Sequence, residues 1–201
     1  MTVSGKPRGS YAKTAARRRE ILEAGIEVFS ANGFRSGSIR EIAERVGISQ
    51  AGLLHHFSNK NELLAGVLEL RDDKSRGISN LDSADGVGHL RGLVKVVEYN
   101  AGVPGLVELH CMLSAEATSP DHPAHRYFVT RYRSVVALTT ESFESARAAG
   151  QLAPGVDPAS AARSLVALMD GLQVQWLLDR ASVDMAEETR RYLRPLLTVP
   201  L

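Results

Sequence analysis

Few residues in this 201-residue chain carry chemistry at a useful spacing. His110-Cys111 sets a thiol beside an imidazole, but adjacent residues on a helix diverge by about 100° and cannot face one another. His122-x-x-His125 places two imidazoles at i, i+3, which with Asp121 could hold a metal. Pro120 and Pro123 beside them predict instead a solvated helix entrance. No phosphate loop, dinucleotide fingerprint, zinc-protease signature or nucleophile elbow occurs. The expectation is no catalysis, no metal and no cofactor. A different chemistry, hydrogen bonding to base edges and phosphates, is open to the stretch Ser38–Phe57, SIREIAERVGISQAGLLHHF. Gln50 can bond an adenine in bidentate fashion and Ala51 can touch a thymine methyl group. His55, His56 and Lys60 can reach phosphate oxygens.

Such contacts need a short helix projecting from the surface, and the pattern supplies one. Ile39, Ile42, Ala43 and Val46 fit the i, i+3, i+4, i+7 template. Ser38 and Glu41 form a capping box ahead of that stripe, and Gly47 closes it. A second helix follows at once with Ser49 as its cap. Gly47 tolerates the left-handed backbone of the tight turn. Ile48 packs between the two helices, and Leu53 and Phe57 face inward. Gln50, Ala51, Gly52, Leu54, His55 and His56 are left pointing outward, with small residues leading. This is a helix-turn-helix.

The rest of the chain reads as helix too. Ile21, Leu22, Gly25, Val28 and Phe29 form a stripe ended by Asn32-Gly33. A helix runs from Asn59 to about Ser75, and the polar residues 76–86 read as a loop. Further helices fall near 87–100, 104–118, 122–149, 158–180 and 184–197, with prolines at most breaks. No segment alternates convincingly over strand length, so the fold class is all-α.

Charge supports a polyanionic partner at one end. The net charge is +1, but residues 1–60 carry ten Lys and Arg against five Asp and Glu, and residues 61–201 carry fourteen against eighteen. A basic head on a mildly acidic body is the asymmetry expected when one end meets phosphate. No apolar run approaches the ~18 residues of a membrane span, so no membrane partner is expected. Met1–Ser10 is not a secretory signal, and the default compartment is the cytoplasm. A lone cysteine, Cys111, excludes an internal disulfide framework.

IREIAERVGISQAGLLHHFSNKNELL resembles the DNA-binding signature of the TetR family of bacterial repressors. The matching elements are Ile42-Ala43, Gly47-Ile48-Ser49, Leu53, Phe57, and Lys60 with Leu63-Leu64. Ala24, Phe29 and Asn32-Gly33-Phe34 extend the likeness, which runs from about residue 17 to 68. The resemblance implies a three-helix DNA-binding domain over 13–58, after a disordered arm over 1–12. It also implies a larger helical domain over 59–201 that dimerises and holds a ligand pocket. Many members carry tyrosine where this chain has Leu54, and Gln50 is neither Lys nor Arg. DNA affinity is therefore expected to lean on Arg35, Ser38, Arg40, Lys60 and the Arg17-Arg18-Arg19 run, around the outward residues from Ser49 to His56.

Pro158–Leu178 has an apolar arc wide enough to bury two sides, one against its own domain and one against a second copy. The expected interface residues are Ala161, Leu165, Leu168 and Leu172, with Leu193 from the last helix. Small residues Ala159, Ala162, Ala167 and Gly171 would allow close approach. The resemblance points the same way, since its last two long helices form a four-helix dimer interface. RAAGQLAPGVDPASAARSLVALMDGL also resembles the C-terminal domain of one branch of the family. For the pocket, the candidates are Tyr99, His110, Cys111, Met112, Glu116, Tyr127, Phe128 and Tyr132, with Trp176 as a wall. The function expected is a homodimeric repressor that binds a palindromic operator in double-stranded DNA and is released by a small-molecule effector. The alternative is a helical interaction module whose helix-turn-helix no longer binds DNA. A steep salt dependence would separate the two.

Overall fold

The computed structural model describes residues 8–79 and 86–201. Among them are nine α-helices, a closing 3-10 turn and no β-strand. In chain order the helices are α1 (Arg8–Ser36), α2 (Ile39–Val46), α3 (Gln50–His56), α4 (Lys60–Ser79), α5 (Gly86–Ala101), α6 (Pro104–Glu116), α7 (His125–Ala148), α8 (Pro158–Leu178) and α9 (Met185–Leu193), followed by the 3-10 turn Arg194–Leu196. The all-α reading holds.

Several boundaries differ from expectation. Helix α1 begins at Arg8, so residues 8–12 of the expected disordered arm are helical; residues 1–7 lie outside the described residues. Near its other end α1 breaks at Gly33, whose φ of 71° and ψ of 175° no helix contains. Helix α4 runs on to Ser79, through part of the stretch expected to be loop. An Arg76–Asp73 ion pair and a Ser75 hydroxyl bonded to the Arg71 carbonyl accompany that extra turn. Residues 80–85, the rest of that stretch, lie outside the described residues. Helix α7 starts at His125, because a residue preceding proline disfavours helix and His122 precedes Pro123.

Two apolar clusters hold the chain. The first gathers Ile21, Phe29, Ile42, Leu53, Phe57, Leu63 and Leu64 from α1–α4 and continues without a break into Leu109 and Leu113 of α6. Each is wholly or almost wholly buried, a gain of roughly 1.5–3 kcal/mol per large apolar side chain. The head thus rests directly on α6. The second cluster gathers Val87, Leu90, Phe143, Leu165, Trp176 and Leu193 from α5 and α7–α9. Asp157 caps α8 by accepting the Ser160 N–H at 2.8 Å, with Pro158 in the first turn. A single Leu152–Leu197 bridge ties the C-terminal segment across the body. No helix among the described residues is long and apolar enough to cross a membrane.

Candidate DNA-reading face and ligand cavity

The helix-turn-helix is built by its caps. Ser38 accepts the Glu41 N–H at 3.1 Å and starts α2. Glu41 does not reach back to complete a capping box; its carboxylate takes Asn32 and Arg45 instead. Gly47 ends α2 in the left-handed region, φ 70°, ψ 35°, and Ser49 accepts the Gly52 N–H at 3.0 Å to start α3. With Leu53 and Phe57 fully buried, Gln50, Ala51, Leu54 and His55 stand exposed, and Gly52 and His56 are half-buried. Both serine oxygens are used as caps, so Ser38 and Ser49 position the reading helix.

The cations around this face divide into free and engaged. Arg35 is exposed, and Arg40 is exposed while paired with Glu44 at 3.2 Å. Lys60 is half-buried, donating to the Arg35 carbonyl at 3.2 Å and lying 4.5 Å above the Phe34 ring. Burial pushes its pKa down, opposed by Glu116. The Arg17–Arg19 run, expected to supply DNA affinity, is half-buried at Arg17 and exposed at Arg18 and Arg19, each with a partner in the protein. Arg17 donates to the Val46 carbonyl and pairs with Glu20. Arg18 covers the Phe57 ring at 3.9 Å and bonds the His56 carbonyl, and Arg19 pairs with Glu23. Arg17 thereby ties α1 to the end of α2, and Arg18 ties it to the end of α3. Burial, then His55 and both Arg18 and Arg17, lowers the His56 pKa, so that imidazole stays neutral more readily.

A cavity of about 590 Å³ opens among α4, α5, α6, α7 and α8. Its floor is a polar network. Asp72 accepts from Arg71 (3.3 Å), from Arg131 and from the Tyr127 hydroxyl (2.5 Å). Asp170 takes His110 Nε2 (3.1 Å) and the Tyr132 hydroxyl (2.7 Å). Burial and the nearby Arg71 push the His110 pKa down to about 4 against the attraction of Asp170, so His110 is a neutral donor. Burial alone would raise the Asp170 pKa, but His110, Tyr132 and Arg71 bring it below the usual carboxylate value. Leu93, Val96, Val135, Leu138, Val166 and Met169 supply the apolar wall.

Of the residues expected to form a pocket, His110, Tyr127 and Tyr132 line this cavity. The others are elsewhere. Tyr99 packs against the head cluster, and Phe128 is buried behind His110 with ring centroids 5.8 Å apart. Trp176 is buried in the second cluster under Arg180, and Met112 is 40% exposed. Cys111 is half-buried, its thiol pushed up to about 11 chiefly by burial. Glu116 grips the head: its Oε2 accepts the Phe34 N–H at 2.9 Å and lies 3.4 Å from His122 Nε2. His122 is therefore buried at this junction, packed edge-on to Phe34, and no solvated helix entrance. Arg71, Asp72, Arg131 and Asp170 were missed. The readable signal was register: Arg71 continues the Leu64, Val67, Leu68 stripe of α4, and Asp170 interrupts an apolar run of α8.

Four of the five expected interface residues are core of their own chain. Ala161, Leu165, Leu172 and Leu193 are buried in the second cluster, and Leu168 is half-buried against it. The opposite side of α8 faces outward, through Ser164, Ala167, Val174 (49% exposed) and Leu178 (83% exposed), with Gly171 between them. Of the small residues expected to admit a partner, Ala159 and Ala167 are exposed, Gly171 is half-buried and Ala162 is buried. Sequence periodicity gives faces their spacing without saying which one the neighbouring helices cover.

Comparison with known proteins completes the description. Residues 21–67 match the family model of bacterial regulatory proteins, tetR family, and residues 106–198 match that of the BetI-type transcriptional repressor C-terminal domain. The HTH-type transcriptional regulator UidR of Escherichia coli (strain K12) is 25% identical over 173 residues, covering 85% of each chain. A TetR-family regulator from Agrobacterium tumefaciens superposes with a TM-score of 0.77 at 22% identity, over 92% of this chain and 100% of that one. A putative transcriptional regulator from Saccharomonospora viridis, solved in complex with choline, superposes at 0.75 with 21% identity, over 92% and 100%.

Proposed function

This chain belongs to the tetR family of bacterial regulatory proteins, and from that premise we propose a homodimeric repressor that binds a palindromic operator and is released by a small molecule. That it is a DNA-binding transcriptional regulator, and not an enzyme, follows from the family itself. The observation that carries the finer reading is the outward set Gln50, Ala51, Leu54 and His55 on a helix fixed by Ser49 and Gly47. Small leading residues let that helix enter a major groove, where Gln50 would read adenine and Ala51 a thymine methyl. Arg35 and Arg40 would lie along the phosphates, with Lys60 and the half-buried His56 at the helix end.

The outward side of α8 supports pairing of two copies, since Ala167 and Gly171 admit a close helix and Val174 and Leu178 would leave water. Two reading helices then address half-sites about one turn, ~34–36 Å, apart. The effector reading rests on the cavity and on α6. His110 lines the cavity and Glu116, less than two turns along the same helix, holds the Phe34 N–H of the head. A ligand that shifts α6 would tilt the head and change half-site spacing, lowering operator affinity by preferring the unbound arrangement.

In vitro selection of random duplex DNA on the purified protein tests this. An enriched palindrome with half-sites one turn apart is expected, with affinity that falls steeply in salt. Enrichment of a single half-site, or none at low salt, would overturn the dimeric-operator reading.

A further inference from the structure

The hydrogen-bonding capacity left over in the cavity identifies the class of molecule it takes. Arg71 is buried, yet only one of its N–H donors is used, on Asp72. Arg131 draws on the same carboxylate. Both guanidinium groups thus converge on one carboxylate, and burial followed by the repulsion of Arg131 pushes the Arg71 pKa below its ordinary value. The unused N–H donors of a buried guanidinium cost free energy that an anion bound beside them would recover. The carboxylates are in the opposite state. Both oxygens of Asp72 and of Asp170 already accept protein donors, and Tyr127 and Tyr132 point their hydroxyls at them. Among the described residues that line the cavity, neither carboxylate is without protein donors.

Away from this charged floor Gln173 and His89 line the wall with Oε1 and Nε2 unpaired and shielded from the lumen, so that a ligand donor reaches Gln173 Oε1 when that side chain turns. The His89 pKa is lowered by burial alone, with no nearby charge contributing, which separates it from the arginines. An unpaired buried amide oxygen is costly and asks for a donor.

We propose that the cavity binds an amphipathic carboxylate: an anionic head on Arg71 and Arg131, an aliphatic body along Val135, Val166 and Met169, and a hydroxyl or N–H on that body donating to Gln173. The volume of about 590 Å³ suits a ligand of that size. The inference deepens the effector reading above and rests on this cavity being the site.

The test is calorimetric titration of the full-length protein, without DNA, with decanoate, 10-hydroxydecanoate, methyl decanoate and decyltrimethylammonium below their micellar concentrations. Decanoate is expected to bind at least about tenfold tighter than its methyl ester, the ratio a charge-assisted Arg–carboxylate contact provides. Decyltrimethylammonium is expected not to bind. Arg71→Met should remove the preference for the acid while leaving the ester unchanged; Arg131→Gln, at a more exposed position, serves if Arg71→Met does not fold. Gln173→Leu should erase any advantage of the hydroxylated acid. Equal binding of ester and acid, or tighter binding of the ammonium, would overturn the proposal. Operator release, measured separately by fluorescence anisotropy on the selected DNA, keeps the two readings apart. A carboxylate that binds through Arg71 but leaves DNA bound supports the ligand class and refutes release. A neutral or cationic probe that frees DNA does the reverse.

Discussion

At the scale of single residues, position relative to the core decides which polar groups remain for partners. Gln50 is exposed on a helix whose caps are satisfied by other residues, so its amide is free to read a base. Gln50→Ala should relax preference at one operator position by ~1–3 kcal/mol while leaving other positions alone. Binding to a set of single-base operator variants measures this, and unchanged discrimination would remove Gln50 from base reading. His110 is governed by burial. Its folded pKa of about 4 lies below the ordinary 6.5, so the fold favours the neutral form. The associated stability is complete above pH 6.5 and is lost as pH falls from 6.5 towards 4, by about 3 kcal/mol at most. Urea unfolding of wild type and His110→Gln across that window should show the difference closing on acidification. A constant difference would mean His110 titrates normally.

At the scale of elements, the junction of α1 with α6 is closely fitted at Gly33. Gly33 has φ 71°, and a β-carbon there would lie 2.5 Å from Glu116 Oε1. The backbone conformation requires glycine, and a β-carbon would also displace the end of the Glu116 side chain from the Phe34 N–H. Gly33→Ala should destabilise the chain by ~1–3 kcal/mol. In a Glu116→Ala background the steric part should vanish and the backbone part remain, as a double-mutant cycle by denaturant melts would show. Additive effects of the two substitutions would mean that Gly33 and Glu116 are not in contact. The same junction explains why the head's apolar cluster continues into Leu109 and Leu113 instead of closing on itself: so small a unit buries too little of its own apolar surface without α6 behind it.

At the scale of the whole molecule, the two sides of α8 make opposite predictions. Val174→Glu alters an outward residue, so the monomer fold should survive while sedimentation shifts from dimer to monomer and operator affinity drops. Leu165→Glu would place a carboxylate in a fully buried site and unfold the body. A folded, dimeric Val174→Glu protein would exclude this side of α8 as the interface. Charge is also organised at this scale, because the head keeps Arg35 and Arg40 towards solvent while Arg17 and Arg18, each partly exposed, bond the carbonyls that end α2 and α3.

How much could be read before the structure depended on the range of the interaction. Capping serines, the left-handed Gly47, the inward Leu53 and Phe57 and the all-helical course were legible because each is a local consequence of residue type and spacing within a turn or two. Arg71, Asp72, Arg131 and Asp170 were not, since they come from α4, α7 and α8 and form a cavity floor only when three helices are packed. The engagement of Arg17–Arg19, the grip of Glu116 on Phe34 and the choice of which side of α8 is buried have the same origin. Periodicity along one helix determines that a face exists; only the packing of other helices against it decides whether that face is core, cavity or surface.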